Sequence, residues 1–280
     1  MNTYETKVAI IGQGSWPSKI KSSLERNFQG LHVKVFSARA VSSKAKIIQK
    51  DYFHVIWIAT QPSLQLKLLR DLSDAAELFI FEKPLGSNSS EIGGLIKFLE
   101  VHQNGVTAPS NPWSYVNACL ETIDLMQIEG LDAANIDITR RGPNRRSYLS
   151  PVRDWIPHDL YLLGQIFKSE PISIDEISGT EESANANFYS EKFQAQISIS
   201  SGFSDRRVAE IIFTKGMKRI RADFLSGRIF IDDTEHKYQV RNAYDSIARN
   251  YLDANNWGRE KFLKAATLQA EVFSALEKLK

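Results

Sequence analysis

Leu78-Phe79-Ile80-Phe81-Glu82-Lys83-Pro84-Leu85-Gly86 is an apolar run that stops abruptly in a charged pair and a proline. Such a run reads as a buried strand that delivers Glu82 and Lys83 to the edge of a sheet. Pro84 has no N–H to continue the ladder and biases Lys83 toward extended geometry. In an open α/β sheet, ligands bind outside the carboxyl ends of the strands, which is where Lys83 would stand. The alternative is an ordinary solvated strand end.

The segments upstream repeat this plan. His54-Val55-Ile56-Trp57-Ile58-Ala59-Thr60 is a second apolar run, closed by Gln61-Pro62 and followed by Leu64, Leu68, Leu69 and Leu72 at helical spacing. Lys7-Val8-Ala9-Ile10-Ile11 leads into Gly12-Gln13-Gly14-Ser15-Trp16-Pro17 and then a helical pattern through Ile20 and Leu24. A strand, a glycine turn and a helix N-terminus form the setting in which backbone N–H groups hold a pyrophosphate. Gly12 suits the tight turn and Gly14 the close approach, with Ser15 and Trp16 completing the loop; Pro17 stands where the third glycine of the pattern belongs. After His32–Phe36, a further strand, come Ser37 and Arg39. Neither is acidic, and a hydroxyl with an arginine suits the 2′-phosphate of NADP(H) better than the 2′-hydroxyl of NAD(H). Thr60 and Pro62, at the end of the His54 run, and Glu82 join the candidate cofactor residues. Strands alternating with helices predict a doubly wound parallel α/β sheet, a domain over residues 1–106, with Ser89–Glu100 as one more helix.

Composition bounds the rest. At 280 residues with 42% hydrophobic and 24% charged side chains, the chain reads as a two-domain globular protein. A formal net charge of +2 argues against nucleic acid as the main partner. The lone Cys119 excludes a disulfide framework and a cysteine metal cluster, which fits a reducing cytoplasm, and no metal ligand set is expected. The polar N-terminus leads straight into a strand, so neither a signal peptide nor a membrane span is expected.

Residues 139–153 carry Arg140, Arg141, Arg145, Arg146 and Arg153 with no acid among them. This is either a solvated loop or an anion clamp, since guanidinium forks match phosphate and carboxylate. Arg141, Arg145 and Arg146, with the adjacent Trp155, are the candidate substrate residues. Next stands Asp154-Trp155-Ile156-Pro157-His158-Asp159-Leu160. On a helix, Asp154 and His158 share a face at i, i+4, so that the carboxylate either orients a working imidazole or makes a structural hydrogen bond. Pro157 either begins that helix or kinks it. Beyond Gly164, short runs at 172–177, 193–200, 207–213, 218–224 and 228–231 are divided by glycines and read as an open, mainly antiparallel sheet. One face of that sheet is left for a partner to cover. His54, His102 and His236 have no evident partners. Helical patterns return from Ala243, breaking at Asn255–Gly258.

The order strand-Gly12-x-Gly14, then Glu82-Lys83-Pro84, then Asp154-x-x-Pro157-His158-Asp159-Leu160 resembles the glucose-fructose oxidoreductase / inositol dehydrogenase family, Gfo/Idh/MocA. Gly142-Pro143-Asn144-Arg145 before Asp154-Trp155 looks like a subgroup tied to sugar or nucleotide-sugar metabolism. The chain departs from the family at Pro17 and Ile156 and is short for it. The resemblance implies an N-terminal Rossmann domain and an α+β domain over residues 107–280, with the option that helices 243–280 pack back on the first domain. It implies a homodimer or homotetramer through the open sheet, and Lys83, Asp154 and His158 as the catalytic lysine, aspartate and histidine. The expected chemistry is hydride transfer between nicotinamide and a carbinol or carbonyl carbon of a sugar-like, small-molecule substrate, NADP(H) being preferred. His158 exchanges the proton, Asp154 orients it, and Lys83 hydrogen-bonds the reacting oxygen. Rival readings are an imine or double-bond reductase, a non-catalytic NADP(H) sensor or scaffold, and a sugar-nucleotide hydrolase or lyase that uses the cofactor transiently.

Overall fold

In the computed structural model the described residues are 6–39, 41, 48, 50–102, 105–131, 135–143, 148–166, 171–201, 207–239 and 245–279. The chain divides into two compact units, Met1–Pro112 with Tyr244–Ala270, and Trp113–Ala243 with Glu271–Lys280.

The first unit is built on a five-stranded parallel sheet of order β2-β1-β3-β4-β5: β1 (Thr6–Ile11), β2 (Leu31–Phe36), β3 (Phe53–Ile58), β4 (Ala76–Glu82) and β5 (Val106–Ser110). The three inner strands read as unbroken apolar runs because helices cover both faces of such a sheet. Edge strand β2 is half exposed and alternates His32 and Lys34 with Val33 and Val35. Helix α1 (Ser15–Asn27) links β1 to β2, while α2 (Gln65–Leu72) and α3 (Ser89–Val101) carry the chain from β3 to β5. Winding runs one way from β1 and the other way from β3. With right-handed crossovers, α1 therefore lies on one face and α2 and α3 on the other, and the β1/β3 boundary is the topological switch point. Helix α6 (Asp245–Asp253) packs on α1, with Tyr251 and Phe28 rings 5.2 Å apart. Phe262 of α7 (Gly258–Lys278) stands 5.5 Å from Phe81. Strand β5 was not anticipated and takes the first unit past the expected boundary at residue 106. Its Pro109 is compatible with an edge position.

The second unit holds an eight-stranded sheet of order β13-β12-β11-β10-β6-β9-β8-β7. Its strands are β6 (Asn135–Gly142), β7 (Ser173–Gly179), β8 (Ser183–Tyr189), β9 (Gln194–Ser201), β10 (Val208–Lys215), β11 (Lys218–Asp223), β12 (Arg228–Ile231) and β13 (Thr234–His236). All pairs are antiparallel except β6 with β9. Helices α4 (Asn117–Ile128) and α5 (Pro151–Ile166) cover one face. The opposite face is polar: Ser198 Oγ donates to Asn185 (2.8 Å), Gln196 to Asn187 (3.1 Å) and Arg221 to Glu210 (3.3 Å). The sequence reading passed over β6 and β8. Ser-Ala-Asn-Ala-Asn-Phe-Tyr is a poor strand former, and it becomes one because neighbours pair with it on both sides.

Candidate active site

Three strand ends meet at the switch point of the first sheet. At the end of β1, Gly12 donates its N–H to Phe36 O (2.8 Å), and Ala59 after β3 donates to Ile11 O (2.8 Å). A Cβ on Gly12 would stand 2.2 Å from Ala59 O, so only glycine lets the two turns approach. Gly14 has φ 103° and ψ −165°, backbone that a side chain disfavours, and the space beside it is open. No side chain caps α1, which leaves the first-turn N–H groups of Ser15 and Trp16 directed outward past exposed Gln13 and Gly14. Pro17, at the third helical position, is buried behind them and needs no N–H there. Its place in the motif is therefore structurally satisfied.

The other candidate cofactor residues flank this turn. Ser37 is half-buried at the end of β2 and its carbonyl accepts from Val41 N (3.2 Å), while Arg39 is exposed. Thr60 Oγ1 donates to Gln61 O (3.2 Å) after β3, and Pro62 is buried at the start of a short 3-10 turn.

At the end of β4, Glu82 and Lys83 are each only 7% exposed, so the reading of a solvated strand end is overturned. Trp57 Nε1 donates to Glu82 Oε1 (3.0 Å). The indole N–H of Trp16 and the Ser110 hydroxyl, both shut off from solvent, face the same carboxyl without completing a hydrogen bond of normal geometry. Burial pushes the Glu82 carboxyl above the usual range; the hydroxyl, the two indoles and the Lys83 charge oppose this without overcoming it. The Lys83–Pro84 peptide is cis.

Two residues were missed. Trp57 is one. The other is Gln65, fully buried, whose Nε2 donates to Glu82 O (2.6 Å) and Pro84 O (3.0 Å). The apolar stripe of α2 begins at Gln65 and continues through Leu68, Leu69 and Leu72, whereas Leu64 is exposed. A polar residue at i of an i, i+3, i+4, i+7 face was the available signal.

In the second unit the helix question resolves at Ser150-Pro151. Ser150 Oγ accepts from Arg153 N (3.3 Å) and Pro151 is the first helical residue, an N-cap and N1 pair that the sequence carried. Pro157 therefore lies inside α5. Asp154 and His158 sit one turn apart on that helix, 6% and 8% exposed, and the Trp113 ring meets His158 edge-on at 6.1 Å. Trp155 is half-buried beside them.

Among the described residues of the arginine segment, Arg140, Arg141 and Arg153 form neither a solvated loop nor one clamp. Thr139–Gly142 belong to β6, so Arg140 and Arg141 point to opposite faces. Arg140 turns toward α5 and makes a forked pair with Asp159 (Nε–Oδ1 2.9 Å, Nε–Oδ2 3.0 Å, Nη2–Oδ1 2.5 Å), its guanidinium 5.1 Å over Trp113. Arg153 bonds Glu181 (2.6 Å) and Glu277 (3.3 Å); burial alone would lower its pKa, but the two carboxylates raise it on balance. Arg141 is exposed on the polar face, away from α5. Arg145 and Arg146 lie outside the described residues. A cavity of about 720 Å³ on that polar face is lined by Asn135, Asp137, Asp175, Asn187, Tyr189 and Gln196, also on the side opposite α5.

The three histidines set aside earlier all have partners. His54 Nδ1 accepts from Lys7 N (3.1 Å), His102 stacks on Phe98 at 3.9 Å, and His236 pairs with Glu121 (2.9 Å) and stacks on Tyr238. Among the described residues no group of His, Cys, Asp and Glu could hold a metal, and no helix is long and apolar enough to cross a membrane.

No family model matches the sequence, and no curated protein matches it by sequence. Solved structures do match. A UDP-N-acetylglucosamine 3-dehydrogenase from Acidithiobacillus ferrooxidans aligns over 99% of both chains with TM-score 0.73 and 17% identity. The chain has the fold of the Gfo/Idh/MocA-type dehydrogenases. Further examples of that fold are a scyllo-inositol dehydrogenase from Lactobacillus casei (TM-score 0.72, 13% identity, 100% of this chain and 97% of that one) and a 3-ketoreductase from Actinomadura kijaniata in complex with TDP-benzene and NADP (0.73, 11%, 98% of both). At such identities the Gfo/Idh/MocA likeness speaks for the architecture, and the roles of individual residues rest on the geometry above.

Proposed function

We propose that this protein is an NAD(P)-dependent oxidoreductase that moves a hydride between nicotinamide and a carbinol or carbonyl carbon of a sugar-like substrate, free or nucleotide-linked. The observation that carries the reading is the switch point: a glycine-only contact at Gly12, an uncapped α1 and the buried Lys83 at three neighbouring strand ends. The chemistry of this donor set fits a dinucleotide, because free N–H groups at a helix N-terminus favour a pyrophosphate. Solved proteins of the same fold include dehydrogenases of an inositol and of a UDP-sugar and an NADP-bound ketoreductase.

Gly12, Gly14, Ser15 and Trp16 hold the pyrophosphate, Thr60, Pro62 and Glu82 line its path, and Ser37 with Arg39 favours NADP(H) over NAD(H). When bound, the nicotinamide accepts or supplies the hydride. Lys83 donates a hydrogen bond to the reacting oxygen. His158 takes the hydroxyl proton in oxidation and returns it in reduction, and Asp154, one turn before it, orients the imidazole. Of the arginines, Arg141 is in reach only of a group on the polar sheet face, so substrate contacts are assigned to Arg145, Arg146 and Trp155. A second copy of the chain covers that polar face, giving a homodimer or homotetramer.

A thermal-shift screen with NAD(H), NADP(H), sugars, inositols and nucleotide sugars tests the reading, since a ligand of the folded form raises Tm. The expected result is a shift with NADP(H) larger than with NAD(H). On the substrate so found, Lys83→Ala and His158→Ala each lower turnover by roughly 10²- to 10⁴-fold. Wild-type turnover in both variants refutes the roles.

A further inference from the structure

The Gln65 amide has two N–H bonds, and both are used on backbone carbonyls that bracket one residue. One reaches Glu82 O at 2.6 Å and the other Pro84 O at 3.0 Å. Between them stands Lys83. Gln65 is 0% exposed, and its Oε1 has no hydrogen-bond partner among the described residues. Leaving an amide oxygen buried and unpaired is costly, and a leucine would continue the stripe of Leu68, Leu69 and Leu72 at no such cost. The side chain is therefore explained by what its nitrogen does. Glu82 is fixed a second time through its carboxyl by Trp57 (3.0 Å). The backbone on both sides of Lys83 is thus held by side chains from α2 and β3.

We infer that Gln65 is a positioning residue for Lys83, acting as a two-pronged clamp on the turn that carries the lysine. The inference rests on the proposed role of Lys83, but the clamp itself is a property of the first unit alone. A carboxylate cannot replace it, because it accepts and does not donate. A shorter amide keeps both donors but not the reach. Misplacing a catalytic group by about 1 Å costs on the order of 10²-fold in rate, which sets the expected size.

The test compares wild type with Gln65→Glu, Gln65→Met and the milder Gln65→Asn, which keeps an amide if the others fold poorly. Competitive acetylation with isotope-coded acetic anhydride, read by mass spectrometry, gives the labelling of Lys83 relative to the exposed Lys97 on α3. With the clamp broken, that ratio changes by roughly 10-fold or more, at temperatures well below each variant's Tm. NADPH affinity, measured by fluorescence titration, falls far less than turnover, since the glycine turn is not touched and the clamp bears on only Glu82 among the cofactor-lining residues, while turnover falls on the order of 10²-fold. A purely structural Gln65 instead lowers Tm and leaves the labelling ratio alone, and that result overturns the inference. The labelling arm needs no substrate. An unchanged ratio together with an inactive Lys83→Ala sinks the clamp and leaves the oxidoreductase reading standing. A changed ratio with a fully active Lys83→Ala keeps the clamp and removes its catalytic meaning.

Discussion

Replacing Asp159 by alanine removes the carboxylate that Arg140 grips in a fork while leaving the guanidinium buried. The two side chains are 0% and 7% exposed, and the guanidinium is otherwise enclosed by the Trp113 and Phe224 rings at 5.1 and 6.0 Å. Breaking one side of a buried pair costs about 3–5 kcal/mol, which for a chain of this size lowers Tm by roughly 6–20 °C. Arg140→Met alone is also expected to lower Tm, because it removes the guanidinium fork from a fully buried carboxylate. The double variant Arg140→Met/Asp159→Leu removes both charges together and is expected within about 2 kcal/mol of wild type.

The only cysteine supplies the assay. Cys119 is 1% exposed on α4, and its thiol is pushed up to about 12, by burial first, with Asp159 adding to the shift and Arg140 opposing it. A thiol reagent therefore reacts only when the second unit opens, and its rate against urea concentration reads the stability of that unit separately from the first. Labelling should be much faster in either single variant and close to wild type in the double. If the single-variant costs simply add in the double, the two residues do not act as a buried pair and the reasoning fails. The same pair bears on chemistry. Asp159 follows His158 on α5, and Arg140 carries the Trp113 ring that meets that imidazole, so a stable double variant that loses turnover would place the effect on ring orientation.

Two further outcomes are expected. Because burial raises the folded-state pKa of Glu82, its contribution to stability is fully present below the unfolded carboxylate pKa and is lost as pH rises through the raised value. The Tm of Glu82→Gln should then gain on wild type from acid toward alkaline pH, and a pH-independent gap would refute this. Gly12→Ala must displace the turn after β3, as its Cβ would lie 2.2 Å from Ala59 O. Gly14→Ala meets no atom and pays only for its backbone angles, about 1–3 kcal/mol. Urea titration should therefore show Gly12→Ala as the more damaging of the two, and the reverse order would contradict the close approach of the two turns.

The parallel sheet was legible because strands covered on both faces have no polar positions to disguise them. Val8–Ile11, Val55–Ile58 and Leu78–Phe81 are apolar throughout, and each stops at a residue that cannot extend the ladder or that starts a turn. Ser150-Pro151 likewise fixes the start of α5 by local chemistry alone. Charge was where local reading failed. Arg140 and Arg141 are neighbours of one type, yet the twofold alternation of β6 buries the first and exposes the second. The carboxylate that neutralises Arg140 lies 19 positions away on a helix. Gln65 was hidden for a related reason, since its acceptors are backbone carbonyls that leave no mark in side-chain identity. Periodicity and turn residues report the free energy of a single segment, so the amino-acid order alone determined the apolar strands β1, β3 and β4, their ends and the glycine turn, but not β5, β6 or β8, which rest on pairing with neighbours. Whether a buried polar group is tolerated depends on the partner that another segment brings to it, and that was decided only by the tertiary structure.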